Sequence, residues 1–448
     1  MKPKNIYQMY LRMFTPSGTL AAAEEMIPYL ADLGIDCIYL SALNQADDAQ
    51  EGQSPRQLKS GIGNPKNPYR ITDYYAVDEE YGNMEDLKRF VESCHRANIK
   101  VLIDLVYMHC GPNAVFIKEH PNFVKRDENG DIQCTSYGFP LINIDNPELR
   151  EYLWANMEFY LTEIKADGFR CDVAEEVPLD FWKEAVRRLK KIKPDLIMLD
   201  EGGIPDYLEA FDLLYGGGLE GAINRVFHNK QNSKKAHKVD AYHFRPLDAE
   251  TVYNAEHIRT AWEKSHEKTP LCSSLNQVEN HDIANDAYYE RSEAHLGHDA
   301  VEAMLALIFT FDGIPMIFNG MEFADSGRRT LWYSRFYSGA MVIDWSKLAT
   351  AAGRERFAMV KHMIAMRNGR KSLTEGDLSW TEHDNTKNVL GFTRCHEQEK
   401  TQVFVNVTAK VQKTKVQGPL PGKILASKNA YVQNGSITLL PYGYLITE

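Results

Sequence analysis

The stretch "DGFRCDVAEEVP" at positions 167–178 decides how the chain is interpreted. It follows "PELREYLWANMEFYLTEI" (147–164), which reads as an amphipathic helix, so the run that begins at Gly168 is predicted to be a short strand. In a strand, residues two apart point to the same side, which places Arg170 and Asp172 on one face. Such a pair is either a structural ion pair or a carboxylate held for chemistry. The surrounding sequence has to decide between these two interpretations.

Around this stretch, apolar runs alternate with helical patterns over the first three quarters of the chain. Eight strand candidates lie near positions 6, 37, 101, 168, 196, 210, 272 and 315. One of them, "KVLIDLVYMH" (100–109), is a continuous apolar run typical of a strand buried on both faces. Eight such units predict an α/β fold, an eight-stranded parallel β/α (TIM) barrel with its active site at the carboxyl ends of the strands. A doubly wound open sheet is the competing arrangement.

Two departures from this alternation predict the domain boundaries. Residues 110–145, after the third strand, are rich in turn signals and predict a short inserted excursion. From about residue 375 the pattern changes to short strands with turn signals, which predicts a C-terminal antiparallel β-sandwich domain. The predicted division is a catalytic barrel (1–109 and 146–370), a small inserted domain (110–145) and a C-terminal β domain (371–448).

Composition narrows the class of partner. The 448 residues are 44% hydrophobic and 25% charged, which is typical of a globular protein. A formal net charge of -11 without a block of basic residues argues against nucleic acid and against an anionic membrane surface as partners. Seven cysteines without paired spacing favour free thiols and a cytoplasmic location. No apolar run has the length of a signal peptide or a membrane span.

Polar side chains end four of the predicted strands. They are Asp104 and His109 on the third strand, Arg170 and Asp172 on the fourth, Asp200 and Glu201 on the fifth, and Glu279, Asn280, His281 and Asp282 on the seventh. Each group alone has a structural interpretation, such as an ion pair or a turn cap. Together, carboxylates from three strands suit glycosidic bond cleavage, which needs one protonated and one ionised carboxyl. We expect Arg170 to favour the anion of Asp172, and the second acid to stay protonated in a less cationic, more desolvated setting.

These residues resemble the ordered signatures of the α-amylase superfamily, glycoside hydrolase family 13. The four matching stretches are "DLVYMH" (104–109), "GFRCDVA" (168–174), "IMLDEG" (197–202) and "VENHD" (278–282). Flanking stretches are also similar, so the resemblance covers nearly the whole chain; they are "NPYRITDYYAVDEEYGNMEDLKRFV" (67–91), "GIPMIFNGMEF" (313–323) and "PYGYLI" (441–446).

The resemblance implies a role for each site residue. It implies that Asp172 is the nucleophile, that Glu201 is the acid/base, and that Asp282 is a third acid that binds sugar hydroxyls and stabilises the transition state. It also implies substrate binding by Tyr69, His109, Arg170 and His281, and a structural role for Asp104. The implied reaction is double displacement with retention, through a covalent glycosyl enzyme.

Three positions, in two of the signatures, depart from the family pattern. The first signature normally has Asn before its His and uses it at a calcium site, whereas this chain has Met108. A thioether is a poor ligand for a hard cation, so we expect no metal site and no required cofactor, calcium being the one ion considered. Many α-amylases place Lys-His after the nucleophile, where this chain has Glu175 and Glu176.

The leading hypothesis is therefore a retaining hydrolase of α-glucosidic, chiefly α-1,4, bonds in starch-derived glucans or maltooligosaccharides. The alternative is a transglycosylase, isomerase or phosphorylase of the same family, acting on a small α-glucoside such as trehalose, sucrose or an isomaltooligosaccharide. A third hypothesis is a non-catalytic carbohydrate-binding or partner-binding protein. It would require the loss of one of the three acids, and all three are present.

Overall fold

The structure is a computed structural model of the chain. It describes residues 2–216, 218–228, 252–267, 269, 273–285, 291–327, 330–336, 341–417 and 422–448, apart from the side chains of residues 56, 59 and 285. Cys272 and the start of the strand predicted at 271–278 lie outside the described residues.

Strands and helices alternate through the first three quarters of the described chain. The strands are β1 (Ile6–Met9), β2 (Cys37–Leu40), β3 (Asn44–Ala46), β4 (Ile71–Val77), β5 (Lys100–Leu105), β6 (Gly168–Cys171), β7 (Ile197–Asp200), β8 (Leu213–Tyr215), β9 (Ser274–Asn276), β10 (Ile314–Phe318), β11 (Asp377–Trp380), β12 (Val389–His396), β13 (Glu399–Asn406), β14 (Gln412–Thr414), β15 (Ile424–Gln433) and β16 (Ser436–Thr447). The α-helices are α1 (Leu11–Phe14), α2 (Leu20–Glu24), α3 (Ile27–Leu33), α4 (Pro55–Lys59), α5 (Met84–Arg96), α6 (Val115–Glu119), α7 (Pro147–Thr162), α8 (Leu179–Ile192), α9 (Leu219–Phe227), α10 (Ala255–His266), α11 (His281–Asn285), α12 (Ser292–Leu296), α13 (His298–Thr310), α14 (Ala351–Asn368) and α15 (Lys371–Thr374).

Eight of the strands form a closed parallel barrel in the order β1-β10-β9-β8-β7-β6-β5-β2. They correspond to the eight predicted strands in sequence order. The prediction of a closed barrel is therefore confirmed, and the alternative prediction of an open doubly wound sheet is wrong. The boundaries of three strands differ from the prediction. The strand predicted near 210 is Leu213–Tyr215, and a 3₁₀ turn at Pro205–Glu209 precedes it. The strand predicted near 272 is described over Ser274–Asn276. The run at 100–109 is a strand only over Lys100–Leu105, so His109 lies beyond its end.

Burial explains why these short runs are strands. Every residue of β1, β2, β6, β7, β8 and β10 is buried, as expected for strands that are covered on both faces. Helix starts follow local capping rules: Asn83 and Asp86 form a capping box at α5, and Asn146 caps α7 ahead of Pro147. Among the described helices, none is both long enough and apolar enough to cross a lipid bilayer.

Two excursions leave the alternating pattern. The antiparallel pair β3 and β4 lies between β2 and α5, and the sequence analysis did not predict it. The predicted excursion at 110–145 contains α6, a 3₁₀ turn at Pro121–Phe123 and isolated bridges such as Val124 to Ile142. This sparse regular structure agrees with its turn-rich sequence.

The chain divides into two compact units. The first consists of Met1–Tyr215, Asn285–Ala287 and Arg329–Ile343, and the second of Gly216–Ala284, Tyr288–Arg328 and Asp344–Glu448. Strands β1 to β8 belong to the first unit, and β9 to β16 belong to the second. The three-part domain division made from the sequence stays a prediction.

The second unit contains the predicted C-terminal antiparallel β structure, which is confirmed. Its sheet has the order β11-β12-β13-β16-β14, and β15 pairs with β16. The long strand β16 therefore joins three neighbours. A buried apolar cluster stabilises this sheet and consists of Val389, Phe404, Ile437, Leu439 and Leu445.

Candidate active site

The first unit brings polar side chains together at the carboxyl ends of β5, β6 and β7. Asp104 on β5 is the Cα partner of Arg170 on β6. Asp172 follows β6 by one residue, and Glu201 follows β7 by one residue. Because the three strands are neighbours in one parallel ladder, these four side chains meet at one end of it.

Arg170 lies at the centre of this group and is completely buried. Its Nη1 donates to Oδ1 of Asp104 at 2.7 Å and to Oδ1 of Asp172 at 2.8 Å. Its Nη2 lies 2.6 Å from Oε1 of Glu201. We name Asp104, Asp172 and Glu201 the three-carboxylate cluster. One guanidinium thus faces three carboxylates, and the two predicted reacting groups share it.

Two tyrosines fix Asp104. Its Oδ2 accepts hydrogen bonds from the hydroxyls of Tyr39, at 2.8 Å, and Tyr69, at 3.0 Å. The rings of Tyr39 and Tyr215 also flank the Arg170 guanidinium, with centroids at 5.5 and 5.7 Å. Tyr39 and Tyr215 were not among the site residues predicted from the sequence. Each is a tyrosine in a buried barrel strand, and a buried hydroxyl requires a polar partner, so this pattern could have indicated a nearby polar site.

The excess of negative charge around Arg170 affects the pKa of Asp172. Burial raises the pKa of Asp172 well above its usual range, and repulsion from Glu201 raises it further, while Arg170 lowers it. Asp172 therefore retains its proton to a higher pH than an isolated carboxyl would.

The electrostatic part of the sequence prediction is wrong. We expected the second acid to lie in a less cationic and more desolvated setting than Asp172. Glu201 instead contacts Arg170, and its side chain is 22% exposed against 9% for Asp172. The reason is geometric, because the two Nη atoms of one guanidinium reach the ends of two neighbouring strands.

His109 lies beside Asp172, with its Nε2 at 4.0 Å from Oδ2. Its ring packs edge-on against Phe139 at 5.0 Å, and burial lowers the pKa of His109 to about 4. Its Nδ1 has no hydrogen-bond partner in the part of the chain that the structure describes. A neutral imidazole can donate one hydrogen bond and accept another, which is the chemistry that binding a sugar hydroxyl requires.

Val173 connects the positions of the two reacting carboxyls. Its backbone is left-handed, with φ 43 and ψ 44, which is rare for a β-branched residue. Its amide donates to Oε2 of Glu201 at 2.9 Å. The strained residue after Asp172 therefore holds the Glu201 carboxyl.

His281 and Asp282 lie in the second unit, at the start of α11. His281 is buried, and its Nε2 is 3.7 Å from Oδ2 of Asp282, whose side chain is 40% exposed. Oδ1 of Asn280 accepts hydrogen bonds from the amides of Asp282 and Ile283 at 3.0 and 2.9 Å, so "ENHD" is partly a helix cap. The roles of His281 and Asp282 in catalysis stay predictions.

The surroundings of Met108 test the calcium expectation. Met108 lines a cavity of about 460 Å³ in the first unit, whose other lining side chains are both aliphatic, such as Leu141 and Val177, and polar, such as Ser136 and Glu176. Calcium takes six to eight oxygen ligands, and the thioether of Met108 is not one of them. Across the described ranges, no three His, Cys, Asp or Glu side chains are grouped as a metal centre requires. Met108 itself does not suit a calcium ion, and the absence of a metal site stays a prediction.

Comparison with protein families agrees with this geometry. Residues 8–133 and 125–348 match the family model described as alpha amylase, catalytic domain. The chain belongs to the α-amylase family. The matched ranges include all the predicted site residues, from Tyr69 to Asp282.

Relatives in this family are similar along most of the chain. A maltogenic alpha-amylase of Bacillus acidopullulyticus is 26% identical, over 90% of this chain and 64% of that protein. A cyclomaltodextrinase of Geobacillus thermopakistaniensis is 25% identical, over 96% of this chain and 70% of that protein. The crystal structure of a maltogenic alpha-amylase, AmyB from Thermotoga neapolitana, has a TM-score of 0.77 at 24% identity and covers 99% of this chain and 97% of that chain. This α-amylase family member therefore spans about two thirds of the length of the two curated relatives and shares its fold with AmyB.

Proposed function

We propose that this chain is a retaining α-glycoside hydrolase that cleaves α-glucosidic bonds, chiefly α-1,4 bonds, in starch-derived glucans or maltooligosaccharides. The observation that carries the proposal is Arg170, which holds Asp172 and Glu201 on one guanidinium at 2.8 and 2.6 Å. Membership of the α-amylase family supports an α-glucan substrate, as do the names of the maltogenic amylase and the cyclomaltodextrinase.

In the first step, a carboxylate oxygen of Asp172 attacks the anomeric carbon and the glycosidic C–O bond breaks. The bonding electron pair goes to the leaving oxygen, which takes the proton held by Glu201. In the second step, water attacks the anomeric carbon, Glu201 takes a proton from that water, and the bond to Asp172 breaks. Arg170 anchors both carboxyls throughout, while His109, His281 and Asp282 bind sugar hydroxyls.

The test is the release of reducing ends from maltoheptaose. The wild-type protein is expected to release them, and Glu201→Gln is expected to lose activity because its amide neither donates a carboxyl proton nor accepts one from water. Glu209→Gln is the matched control, since Glu209 is exposed and pairs with Lys183. Equal activity of Glu201→Gln and wild type would overturn the assignment.

The products also separate hydrolysis from transfer. A glycosyl enzyme reacts with water in a hydrolase and with a sugar or phosphate in a transferase or phosphorylase. We expect free maltooligosaccharides as products even when glucose or phosphate is added. New glycosides or sugar phosphates would favour the alternative activity.

A cytoplasmic location and independence of metal ions belong to the same proposal. The described cysteines Cys37, Cys94, Cys110, Cys134, Cys171 and Cys395 carry free thiols, which suits a reducing compartment. The thioether of Met108, at the position where the family places a calcium-binding Asn, supports activity without calcium.

A further inference from the structure

Glu175 is one of the two residues that depart from the family pattern after the nucleophile, and the mechanism above does not use it. It lies in the 3₁₀ turn Ala174–Glu176, three residues after Asp172. Its Oε1 accepts hydrogen bonds from the amides of Gly203 and Ile204, the second at 2.5 Å. Glu175 therefore holds the loop that follows Glu201.

A second bond joins the same two loops in the opposite direction. The amide of Val173 donates to Oε2 of Glu201, while Glu175 accepts from the amides beyond Glu201. We name these reciprocal bonds the clasp. We propose that Glu175 is a positioning residue, which acts through the clasp to hold the Glu201 carboxyl at a fixed place relative to Asp172. This inference rests on the function proposed for Asp172 and Glu201.

Further contacts of Asp200, Gly202 and Tyr207 stabilise the two loops that the clasp joins. Asp200 accepts from the amide of Gly202 at 2.7 Å, so two carboxylates hold three successive amides, at 202–204. A Cβ at Gly202 would overlap the carboxyl of Glu175, so the close approach requires glycine there. The Tyr207 hydroxyl donates to the Glu175 carbonyl at 3.0 Å and steadies the same turn.

The chemistry of position 175 decides whether the clasp exists. A carboxylate accepts charge-assisted hydrogen bonds from several amide N–H groups. A lysine ammonium has only donors and cannot accept a hydrogen bond from an amide N–H group. In this chain, therefore, position 175 binds its own neighbouring loop. A displacement of about 1 Å in a catalytic group lowers the rate about a hundredfold. Loss of the clasp is therefore expected to slow proton transfer from Glu201.

The test compares substrates that differ in their need for a proton. Maltoheptaose needs Glu201 to protonate its leaving oxygen, whereas α-maltosyl fluoride loses fluoride ion without protonation. For Glu175→Ala, we expect kcat/KM to fall about tenfold to a hundredfold on maltoheptaose, and to stay within about twofold of wild type on α-maltosyl fluoride. Glu175→Gln keeps an acceptor oxygen and is expected to restore most of the activity on maltoheptaose. Glu209→Ala is the control and is expected to match wild type on both substrates.

A second measurement does not depend on catalysis, and it distinguishes a failure of the clasp from a failure of the proposed function. Hydrogen exchange of the amides of Gly203 and Ile204, followed by mass spectrometry, is expected to be slow in wild type and in Glu209→Ala, and fast in Glu175→Ala. Fast exchange in wild type, or equal losses of kcat/KM on both substrates in Glu175→Ala, would overturn the clasp. A wild-type protein that cleaves neither sugar but protects both amides would overturn the proposed function and leave the clasp supported as a contact between loops.

Discussion

Two charge clusters, one in each unit, contain the same kinds of side chain in different proportions. The three-carboxylate cluster places Arg170 against Asp104, Asp172 and Glu201. The second unit contains what we name the balanced cluster, in which three basic residues meet three acidic residues; its members are His298, Arg356 and Lys428 with Glu293, Asp299 and Glu302.

The titration of the two clusters differs accordingly. In the balanced cluster, burial alone would raise the pKa of Glu302, but His298, Arg356 and Lys428 lower it to about 2. Bonds to Glu293 and Glu302 raise the pKa of His298 to about 9. In the three-carboxylate cluster, the pKa of Asp172 is raised instead. In the balanced cluster, each charged side chain is paired with an opposite charge, so the groups stay ionised and stabilise the fold. In the three-carboxylate cluster, the negative charges outnumber the positive one, so Asp172 keeps a proton to higher pH, as is common at functional sites.

The largest expected effect comes from neutralising Asp172. Asp172→Asn is expected to lower kcat on maltoheptaose by about a thousandfold or more, because the nucleophile is lost. Its melting temperature is expected to stay the same or rise, since one of three carboxylates around one cation becomes neutral. The stability advantage over wild type should grow as the pH rises, because wild-type Asp172 has a raised pKa and is destabilising once ionised.

Initial rates and thermal denaturation followed by circular dichroism measure both quantities. A clear loss of stability in Asp172→Asn would show that this carboxylate is structural, and the contrast between the clusters would fail.

The opposite result is expected for Glu302. Glu302→Gln leaves Arg356, His298 and Lys428 with an uncompensated buried charge, so the free energy of unfolding is expected to fall by about 3 kcal/mol. The kcat at 25 °C is expected to stay within about twofold, because the side chain has no part in the proposed chemistry. Urea denaturation measures the stability, and Glu355→Gln, an exposed position on α14, is the matched control. Equal stability of the two variants would contradict the structural role of the balanced cluster.

A smaller effect is expected from the titration of His298. Its pKa is raised from 6.5 to about 9, so its contribution to stability is complete below pH 6.5 and is lost as the pH rises through about 9. The difference in unfolding free energy between wild type and His298→Gln is expected to shrink by about 1 to 2 kcal/mol between pH 6 and pH 9.5, allowing for partial exposure. Urea titrations at the two pH values measure it. A difference that does not change with pH would mean that His298 is neutral in the folded protein.

The smallest expected effect is that of calcium. A bound cation could offset the excess charge of the three-carboxylate cluster and so remove the contrast with the balanced cluster. We expect the melting temperatures in EDTA and in millimolar calcium to agree within about 1 °C, because a ligand that does not bind the folded state does not stabilise it. A calcium-dependent rise in melting temperature would mean that oxygen ligands assemble elsewhere in the protein.

Most of the barrel could be predicted from the sequence, because each barrel strand is a short apolar run buried on both faces. The strands β3 and β4 could not, because Asn44–Ala46 is three residues long and "NQA" has no strand periodicity. The end of β7 could be predicted as acidic, but the contact between Glu201 and Arg170 could not, because side-chain reach across strands is not a property of either strand alone.

By itself, the sequence determined the barrel and the family, since the order of the apolar strands and of their polar ends matches the α-amylase family, and it predicts which residues carry the chemistry. The tertiary structure alone decided how those residues share charge. Adjacency of β5, β6 and β7 places three carboxylates on Arg170, and the loops beyond β6 and β7 turn Glu175 toward Gly203 and Ile204. The physical reason is that electrostatic interactions depend on distances of a few ångströms between segments far apart in sequence, while local patterns report only burial and period.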